Sequence, residues 1–181
     1  MHRTSGSAHV GQWNQQRLDR SQYMPSQHSG IDFVAYDRDG HVLLLAEAKS
    51  RRGTSESWAA GLRRNMLSHG LLPCSKYFLI ATPERMYLWK QQHPNAPEMP
   101  PELTIDAEKV FQPYFQRLHQ EPSSIGPEAF EHLVLTWLTD IAGSGDSTIA
   151  DRNLNQDASS AWLAELSGSL QEARIEMNPP Q

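Results

Sequence analysis

The feature that most constrains the fold is an Asp-Gly pair between two apolar segments. Asp39-Gly40 separates residues 31–36 from residues 41–49, and both segments are rich in β-branched, aromatic and aliphatic side chains. A pair of this kind is a strong short-range signal for a β-hairpin, because Gly readily adopts the backbone angles of a tight turn. Residues 42–46 are apolar at every position, which is typical of a strand covered on both faces. The sequence therefore predicts a hairpin whose second strand is central in a larger sheet.

A helix and a second pair of strands follow the hairpin. Apolar residues recur every four positions over residues 56–70, which predicts an amphipathic helix. Residues 76–82 and 85–90 have the composition of strands and flank a short Pro-Glu turn. A strand, a helix and a further strand form a crossover unit, so we expect the strand over 76–82 to run parallel to the one over 41–49.

Three helical stripes of apolar residues lie further along the chain. They cover residues 110–118, where Pro113 interrupts the pattern, then residues 127–141 and 162–170. Residues 91–105 hold four of the twelve prolines and are predicted to be a loop. Helices that follow a mixed sheet pack on its faces, so the chain is predicted to have an α/β fold.

Length and composition suit a single core with loose ends. The chain has 181 residues, of which 38% are hydrophobic and 20% are charged, and this is enough for one domain. We expect the core over residues 31–142, after a polar segment over 1–30 in which a short helix can form. Residues 143–181 are predicted to be a flexible linker and a short C-terminal helix.

Several classes of protein are excluded by composition. The longest strongly apolar run, residues 42–46, is far too short to span a bilayer. The first ten residues lack the apolar stretch of a signal peptide. The single cysteine, Cys74, allows neither an internal disulfide nor a multi-thiolate metal site. We therefore expect a soluble, cytoplasmic protein without a membrane partner.

The register of the hairpin places two carboxylates side by side. With a two-residue loop at the Asp-Gly turn, Tyr36 opposes Leu43 and Asp32 opposes Glu47. Directly opposed residues share a face of the sheet, with β-carbons about 5 Å apart. Lys49 lies two residues beyond Glu47 and shares that face as well. A bulge in either strand would change the pairing.

Two carboxylates and a lysine at one end of a hairpin suggest metal-dependent chemistry. Neighbouring carboxylates repel each other, and a divalent cation offsets this repulsion better than a lysine alone. Hard oxygen ligands suit Mg²⁺, which leaves room for a substrate phosphate, and Mn²⁺ can substitute for it. A cation beside a lysine can promote attack by water on a phosphodiester. In the competing interpretation, Glu47 and Lys49 are the exposed polar end of an edge strand.

These residues resemble the PD-(D/E)XK nuclease superfamily, which includes many restriction endonucleases. Its pattern is an acid at the start of one strand and an acid-any-lysine triplet on the next, here Asp32 and then Glu47-Ala48-Lys49. The helix and strands that follow also resemble small restriction-endonuclease-like bacterial proteins, and the resemblance covers roughly residues 30–142. It implies a restriction-endonuclease-like mixed β-sheet, built as hairpin, crossover helix and hairpin and flanked by helices.

The resemblance also implies a role for each residue of the pattern. Asp32 and Glu47 would bind Mg²⁺, together with the carbonyl of Ala48. Lys49 would position or activate the attacking water and stabilise the charge that develops in the transition state.

The chain departs from the superfamily's pattern in two places. Ser29-Gly30 stands where the superfamily's name would place a proline beside the first acid. Many relatives use a further acid on a helix before the first strand, and Asp19 is the one acid among residues 1–30. Relatives often carry a polar or basic group on the helix after the lysine, for which Arg63, Arg64 and Asn65 are candidates.

Two pairs of arginines lie close to this pattern in the sequence. Arg51-Arg52 follow the lysine directly, and Arg63-Arg64 lie on the predicted helix. We expect these four side chains to contact DNA phosphates, although a solvated surface is an equally good interpretation. The net charge of −5 argues against a protein that coats nucleic acid by bulk charge but allows a local basic groove.

Three functions are consistent with these residues. The leading expectation is a Mg²⁺-dependent endonuclease that hydrolyses DNA in restriction, defence or a mobile element. The second is a nuclease-fold binding module that binds nucleic acid or protein without cleaving. The third is a subunit that needs a protein partner for target recognition, since no recognition domain is recognisable in the remaining residues. A homodimer would suit cleavage of both strands, because its two-fold symmetry matches that of a duplex.

Overall fold

A computed structural model of the protein describes residues 31–68, 73–90, 99–143 and 158–177. Within these ranges the chain forms six strands and four helices. In chain order they are β1 (Phe33–Tyr36), β2 (Val42–Ala48), α1 (Glu56–Ser68), β3 (Tyr77–Ala81), β4 (Arg85–Lys90), β5 (Leu103–Asp106), α2 (Ala107–Leu118), α3 (Pro127–Gly143), α4 (Ala158–Leu170) and β6 (Arg174–Met177).

The strands form one mixed sheet in the order β5-β4-β3-β2-β1-β6. β2 and β3 run parallel, as predicted from the crossover helix between them, and the other neighbouring pairs are antiparallel. β2 lies inside the sheet, which confirms the prediction drawn from its unbroken apolar run. The predicted α/β fold with a mixed sheet is therefore confirmed.

The turn of the first hairpin is one residue longer than predicted. The Asp37 amide donates to the His41 carbonyl, so three residues form the loop instead of two. The Asp37 carboxylate accepts hydrogen bonds from the amides of Asp39 and His41, and Gly40 takes a positive φ of 87°. This local bonding favours the longer loop.

A bulge in β2 compensates for the longer loop. Tyr36 pairs with Val42, whereas Ala35 pairs with Leu44, so the predicted pairing of Tyr36 with Leu43 is wrong. The extra residue in the loop and the extra residue in β2 shift the register in opposite directions. Val34 consequently pairs with Leu45 as predicted, and the continued register brings Asp32 opposite Glu47.

Helix α1 begins where the sequence predicts. The Ser55 hydroxyl accepts a hydrogen bond from the Trp58 amide at 3.2 Å, which caps the first turn. The structure describes this helix as far as Ser68. The predicted end at Gly70 lies outside the described residues. The helix covers one face of the sheet, where Ala59 packs into a cluster of strand side chains.

Two short strands were not predicted from the sequence. Residues 103–106, in and just after the predicted loop, form β5 and pair with β4. Residues 174–177, in the predicted C-terminal tail, form β6 and pair with β1. Each strand has four residues, which is too short for a local pattern to stand out. Their partners in the sheet, distant in sequence, supply the hydrogen bonds that select the extended conformation.

Helix α2 is longer than predicted and continues through Pro113. An interior proline costs about 3 kcal/mol relative to alanine. Phe111, Tyr114 and Phe115 are buried on this helix, and Asp106 caps its N-terminus by accepting from the Glu108 amide. Burial of the aromatic face offsets the cost of the proline.

The core extends beyond residue 142, where the sequence placed its end. Helix α4 packs against the same face of the sheet as α2 and α3, through four buried apolar side chains: Trp162, Leu163, Leu166 and Leu170. β6 then completes the sheet beside β1. Residues 1–30, and most of the linker predicted after residue 142, lie outside the described residues.

The sheet therefore has a hydrophobic cluster on each face, with α1 on one side and α2, α3 and α4 on the other. None of the helices in the described ranges has the length and apolar character needed to cross a membrane.

Candidate metal and nucleic-acid site

Asp32, Glu47 and Lys49 lie together at the C-terminal end of β2. The Lys49 ammonium group is paired with Glu47 Oε1 and lies 3.7 Å from Asp32 Oδ2. The three side chains that the hairpin register predicted to converge are thus in contact. The side chain of Lys49 is 40% exposed, whereas that of Glu47 is 5% exposed, so the group opens to solvent on the lysine side.

Backbone hydrogen bonds hold this end of the sheet in place. The Ala48 amide donates to Asp32 Oδ2 at 2.8 Å, so the acid is tied to the strand that carries the other two residues. The Lys49 amide donates to the Ala81 carbonyl at 2.9 Å, which extends the parallel pairing of β2 with β3 past the end of β2. Both acids are therefore positioned by the central part of the sheet instead of by a free loop.

The environment of Glu47 is unusual for a carboxylate. Its Oε2 atom is buried and accepts no hydrogen bond from the described part of the chain. Burial and the neighbouring charge of Asp32 raise the pKa of Glu47 to about 7, against the opposing effect of Lys49. A buried anion with one unsatisfied oxygen is costly. A cation bound to that oxygen would offset this cost, and protonation of Glu47 would offset it as well.

The charges around Lys49 keep it protonated. Burial alone would lower the pKa of this ammonium group, but the hydrogen bond with Glu47 and the charges of Glu47 and Asp32 raise it overall. Without a metal at the site, the two acids therefore favour the ammonium form of Lys49.

The donor set fits a hard divalent cation. Asp32 and Glu47 offer carboxylate oxygens, which Mg²⁺ and Mn²⁺ prefer, and Glu47 Oε2 is free of competing hydrogen bonds among the described residues. Ala48, whose carbonyl was predicted as a further ligand, lies between Glu47 and Lys49 at the end of β2. Its amide is engaged by Asp32.

A cleft of about 400 Å³ opens beside the lysine. The residues that line it come from the end of β2, the segment after it, α1 and the start of α3: Ala48, Lys49, Ser50, Arg51, Trp58, Leu62, Pro127 and Glu131. The cleft gives a substrate access to Lys49. Glu131 was not predicted as a site residue, because no local pattern relates a helix late in the chain to the first hairpin.

The two arginines after the lysine differ in their surroundings. Arg51 is exposed, lines the cleft, and its guanidinium lies 5.5 Å from the centre of the Trp58 ring. Arg52 donates from Nε to Glu84 Oε1 at 2.7 Å, in the turn between β3 and β4. The structure thus brings Arg51 to the site, while Arg52 is held by a carboxylate.

The two arginines on α1 do not line the cleft. Arg63 is 2% exposed and lies over the rings of Phe78 and Trp89, at 5.9 and 5.3 Å from their centres. This buried position does not support the predicted phosphate contact. Arg64 is exposed but lines a separate groove with Glu56 and other residues.

A second acidic group lies at the hairpin turn. Asp37, Asp39 and His41 form the one described group of three metal-ligating side chains whose donor atoms all lie within 4.8 Å of one another. The Asp37 carboxylate already accepts the two turn amides and contacts the His41 ring. These contacts account for the group as part of the turn. Asp19, the N-terminal acid considered above, lies outside the described residues.

Comparison with known proteins identified no relative: no family model, no curated protein and no solved structure matches the chain. The function of the site is therefore inferred from its own residues.

Proposed function

We propose that the protein is a Mg²⁺-dependent endonuclease that hydrolyses phosphodiester bonds of DNA. One observation carries the proposal: two carboxylates and a lysine meet at the end of the central strand, and one buried carboxylate oxygen of Glu47 accepts no hydrogen bond from the described residues. A purely structural ion pair needs one acid and one lysine. It would not need Asp32 as a second carboxylate beside Glu47, which already has an unsatisfied oxygen. Together with the open cleft, the arrangement supports catalysis over a stabilising role.

The proposed roles follow from position and charge. Asp32 and Glu47 hold the cation, with the Ala48 carbonyl as a further candidate ligand, and Mn²⁺ can replace Mg²⁺. When bound, the cation polarises the phosphate and promotes attack by water. Lys49, paired with Glu47 and close to Asp32, positions or activates a water molecule in the cleft and stabilises the negative charge that develops on the phosphoryl oxygens.

We further propose that the sheet belongs to the restriction-endonuclease-like fold of the PD-(D/E)XK superfamily. Support comes from the hairpin, crossover helix and parallel third strand. The first acid lies just before β1, and the acid-any-lysine triplet lies at the end of the neighbouring strand β2. A role in restriction, defence or a mobile element, and a homodimer that cuts both strands, stay predictions of this proposal.

Cleavage of supercoiled plasmid and of single-stranded DNA in Mg²⁺ or Mn²⁺ at low salt tests the proposal. Lys49→Met keeps the apolar stem of the side chain and removes its charge. We expect the cleavage rate to fall by roughly 10²–10³-fold, as when a charge-stabilising donor is lost from an active site. Chelation of the metal is expected to stop cleavage by the wild type.

Lys109→Met is the matched control, because Lys109 is an exposed lysine on α2 that pairs with Asp106. It is expected to cleave at the wild-type rate. If Lys49→Met cleaves as fast as Lys109→Met, the activity arises at another site or from a contaminant. If the wild type binds DNA but does not cleave it in either metal, the endonuclease proposal is wrong.

A partner-dependent subunit, or a binding module without cleavage, is the second candidate. The observation that favours it is the small number of basic side chains that line the cleft. Among the four arginines predicted to bind phosphates, only Arg51 lines it, and Arg63 is buried. A narrow basic surface and a net charge of −5 suit a protein that obtains DNA affinity and target recognition from a partner.

A substitution series separates the arginines by position. Arg51→Ala is expected to weaken DNA binding by roughly 3–10-fold and to lower the slope of log affinity against log salt by about 1, as expected for one phosphate contact. Arg64→Ala removes an equally basic side chain from the other groove and is expected to change affinity less than about twofold. Fluorescence anisotropy with a labelled oligonucleotide at several salt concentrations measures both. An equal effect of the two substitutions would contradict binding through the cleft.

A further inference from the structure

Glu131 places a carboxylate on the cleft beside Lys49, from a part of the chain remote from Asp32 and Glu47. It lies near the start of α3, just after Pro127, and lines the cleft together with Lys49. Its side chain is partly buried instead of extending into solvent like that of Glu128 one turn earlier. Helix α3 packs on the sheet through Phe130, Leu133 and Val134, and this packing fixes the position of Glu131.

The charges of Glu131 and the candidate site act on each other. Burial raises the pKa of Glu131, and the charge of Asp32 raises it further while Lys49 lowers it. In turn, the charge of Glu131 contributes to the raised pKa of Lys49. Carboxylates that repel each other are held together only where packing or a ligand compensates for the repulsion.

Distance decides how Glu131 can act on a cation. Direct ligands of Mg²⁺ lie about 2.1 Å from the ion, so their oxygen atoms are at most about 4.2 Å apart. Asp32, Glu47 and Glu131 do not form a described group of three whose donor atoms all lie within 4.8 Å of one another. As placed, the three carboxylates therefore do not form one direct ligand shell, and a contact between Glu131 and a cation bound by Asp32 and Glu47 through a water molecule is consistent with this arrangement. Mg²⁺ keeps several of its waters when bound to protein, so such a contact suits it.

We propose that Glu131 is a positioning residue of the metal site, which holds a water ligand of the cation bound by Asp32 and Glu47. The proposal rests on the proposed metal-dependent function. It is supported by the position of Glu131 on the cleft and by the unsatisfied, buried Glu47 Oε2 that the cation would bind. In this proposal the site gains an acid from a helix that lies late in the chain.

Binding of Mn²⁺ to the full-length protein, measured by electron paramagnetic resonance, tests the proposal. Glu131→Gln keeps the size of the side chain and removes its charge. We expect the Mn²⁺ dissociation constant to rise about tenfold, the low end of the effect of losing a group that orients metal ligands. Glu128→Gln, which removes the same charge one turn earlier on α3, is expected to change it less than about twofold.

Thermal unfolding without metal separates this role from a structural one. Glu131→Gln removes a charge that Asp32 repels, so the metal-free variant is expected to unfold at the same temperature as the wild type or a higher one. A lower unfolding temperature together with weaker Mn²⁺ binding would indicate loss of packing and would overturn the proposal. Asp32→Asn, in contrast, is expected to abolish Mn²⁺ binding.

The remaining outcomes distinguish this inference from the proposed function. If the wild type binds Mn²⁺ and Glu131→Gln binds it equally well, Glu131 has no role at the site and only this inference fails. If Glu131→Gln abolishes binding as completely as Asp32→Asn, Glu131 is a direct ligand and the contact through water is wrong. If the wild type does not bind Mn²⁺, the proposed function fails, and this inference with it.

Discussion

Glu47→Gln is expected to stabilise the metal-free protein at pH 8 by about 2 kcal/mol and to abolish its stabilisation by Mn²⁺. Folding raises the pKa of Glu47 from 4.5 to about 7, mainly through burial. The folded state therefore keeps this proton to a higher pH than the unfolded state does. The free energy of unfolding consequently falls as the pH rises from about 4.5 to about 7, by about 3 kcal/mol in total, and stays low above pH 7.

Glutamine has no charge to bury, so the variant escapes this loss of stability. Part of the gain is offset because Lys49 loses its partner. Urea denaturation at pH 5 and pH 8, with and without Mn²⁺, measures the effect. At pH 5 the two proteins are expected to have similar stability, and the difference should appear as the pH rises.

Glu84→Gln is the control with the opposite sign. The Gly53 amide and Arg52 lower the pKa of Glu84, so its charged form is favoured in the folded state. That stability is present above the ordinary pKa of a glutamate and is lost at lower pH, and Glu84→Gln is expected to destabilise the protein at pH 8. A Glu47→Gln variant that is no more stable than the wild type at pH 8, or that Mn²⁺ still stabilises, would contradict the assignment of Glu47 as a buried metal ligand.

A chain that ends at Gly143 is expected not to fold cooperatively, although it contains every residue of the candidate site. The truncation removes α4, with four buried apolar side chains, and β6, the neighbour of β1. Full burial of one large apolar side chain contributes about 1.5–3 kcal/mol. Loss of four such side chains is comparable to the whole net stability of a domain, about 5–15 kcal/mol.

Circular dichroism and urea denaturation of the truncated and full-length chains check this expectation. A graded test is Leu166→Ala in the full-length chain, which is expected to cost about 2–5 kcal/mol because Leu166 is fully buried. Leu118→Ala is the matched control, since Leu118 on α2 is 47% exposed, and it is expected to change stability by less than about 0.5 kcal/mol. A truncated chain with a cooperative unfolding transition would show that the region up to residue 142 is an independent core.

Helix α4 is also joined to the sheet by polar contacts, which the truncation would leave incomplete. The Tyr77 hydroxyl donates to Glu165 Oε1 at 2.9 Å, and Lys90 pairs with the other oxygen of the same carboxylate. Tyr77 is buried, so loss of Glu165 would leave its hydroxyl without this acceptor. The C-terminal segment therefore contributes to the interior of the protein in both apolar and polar contacts.

The sequence by itself determined the central part of the fold and the nucleus of the site. An apolar run without polar alternation identified β2 as a buried strand, and a crossover helix made β3 parallel to it. The position of Asp32 relative to Glu47 could be predicted because a strand alternates its faces at every residue, so a correct register at Val34 and Leu45 extends to the acids. These features depend on local periodicity, which is visible in a single sequence.

Tertiary structure alone decided the remaining features, because they depend on contacts between residues far apart in the chain. β5 and β6 are extended only because β4 and β1 offer them hydrogen bonds. Packing against strands distant in the sequence also buries Arg63 against the rings of Phe78 and Trp89, whereas Arg51 stays on the cleft. It also brings Glu131 to the site, since the packing of α3 on the sheet, and no pattern in the sequence, sets the distance between this acid and Lys49.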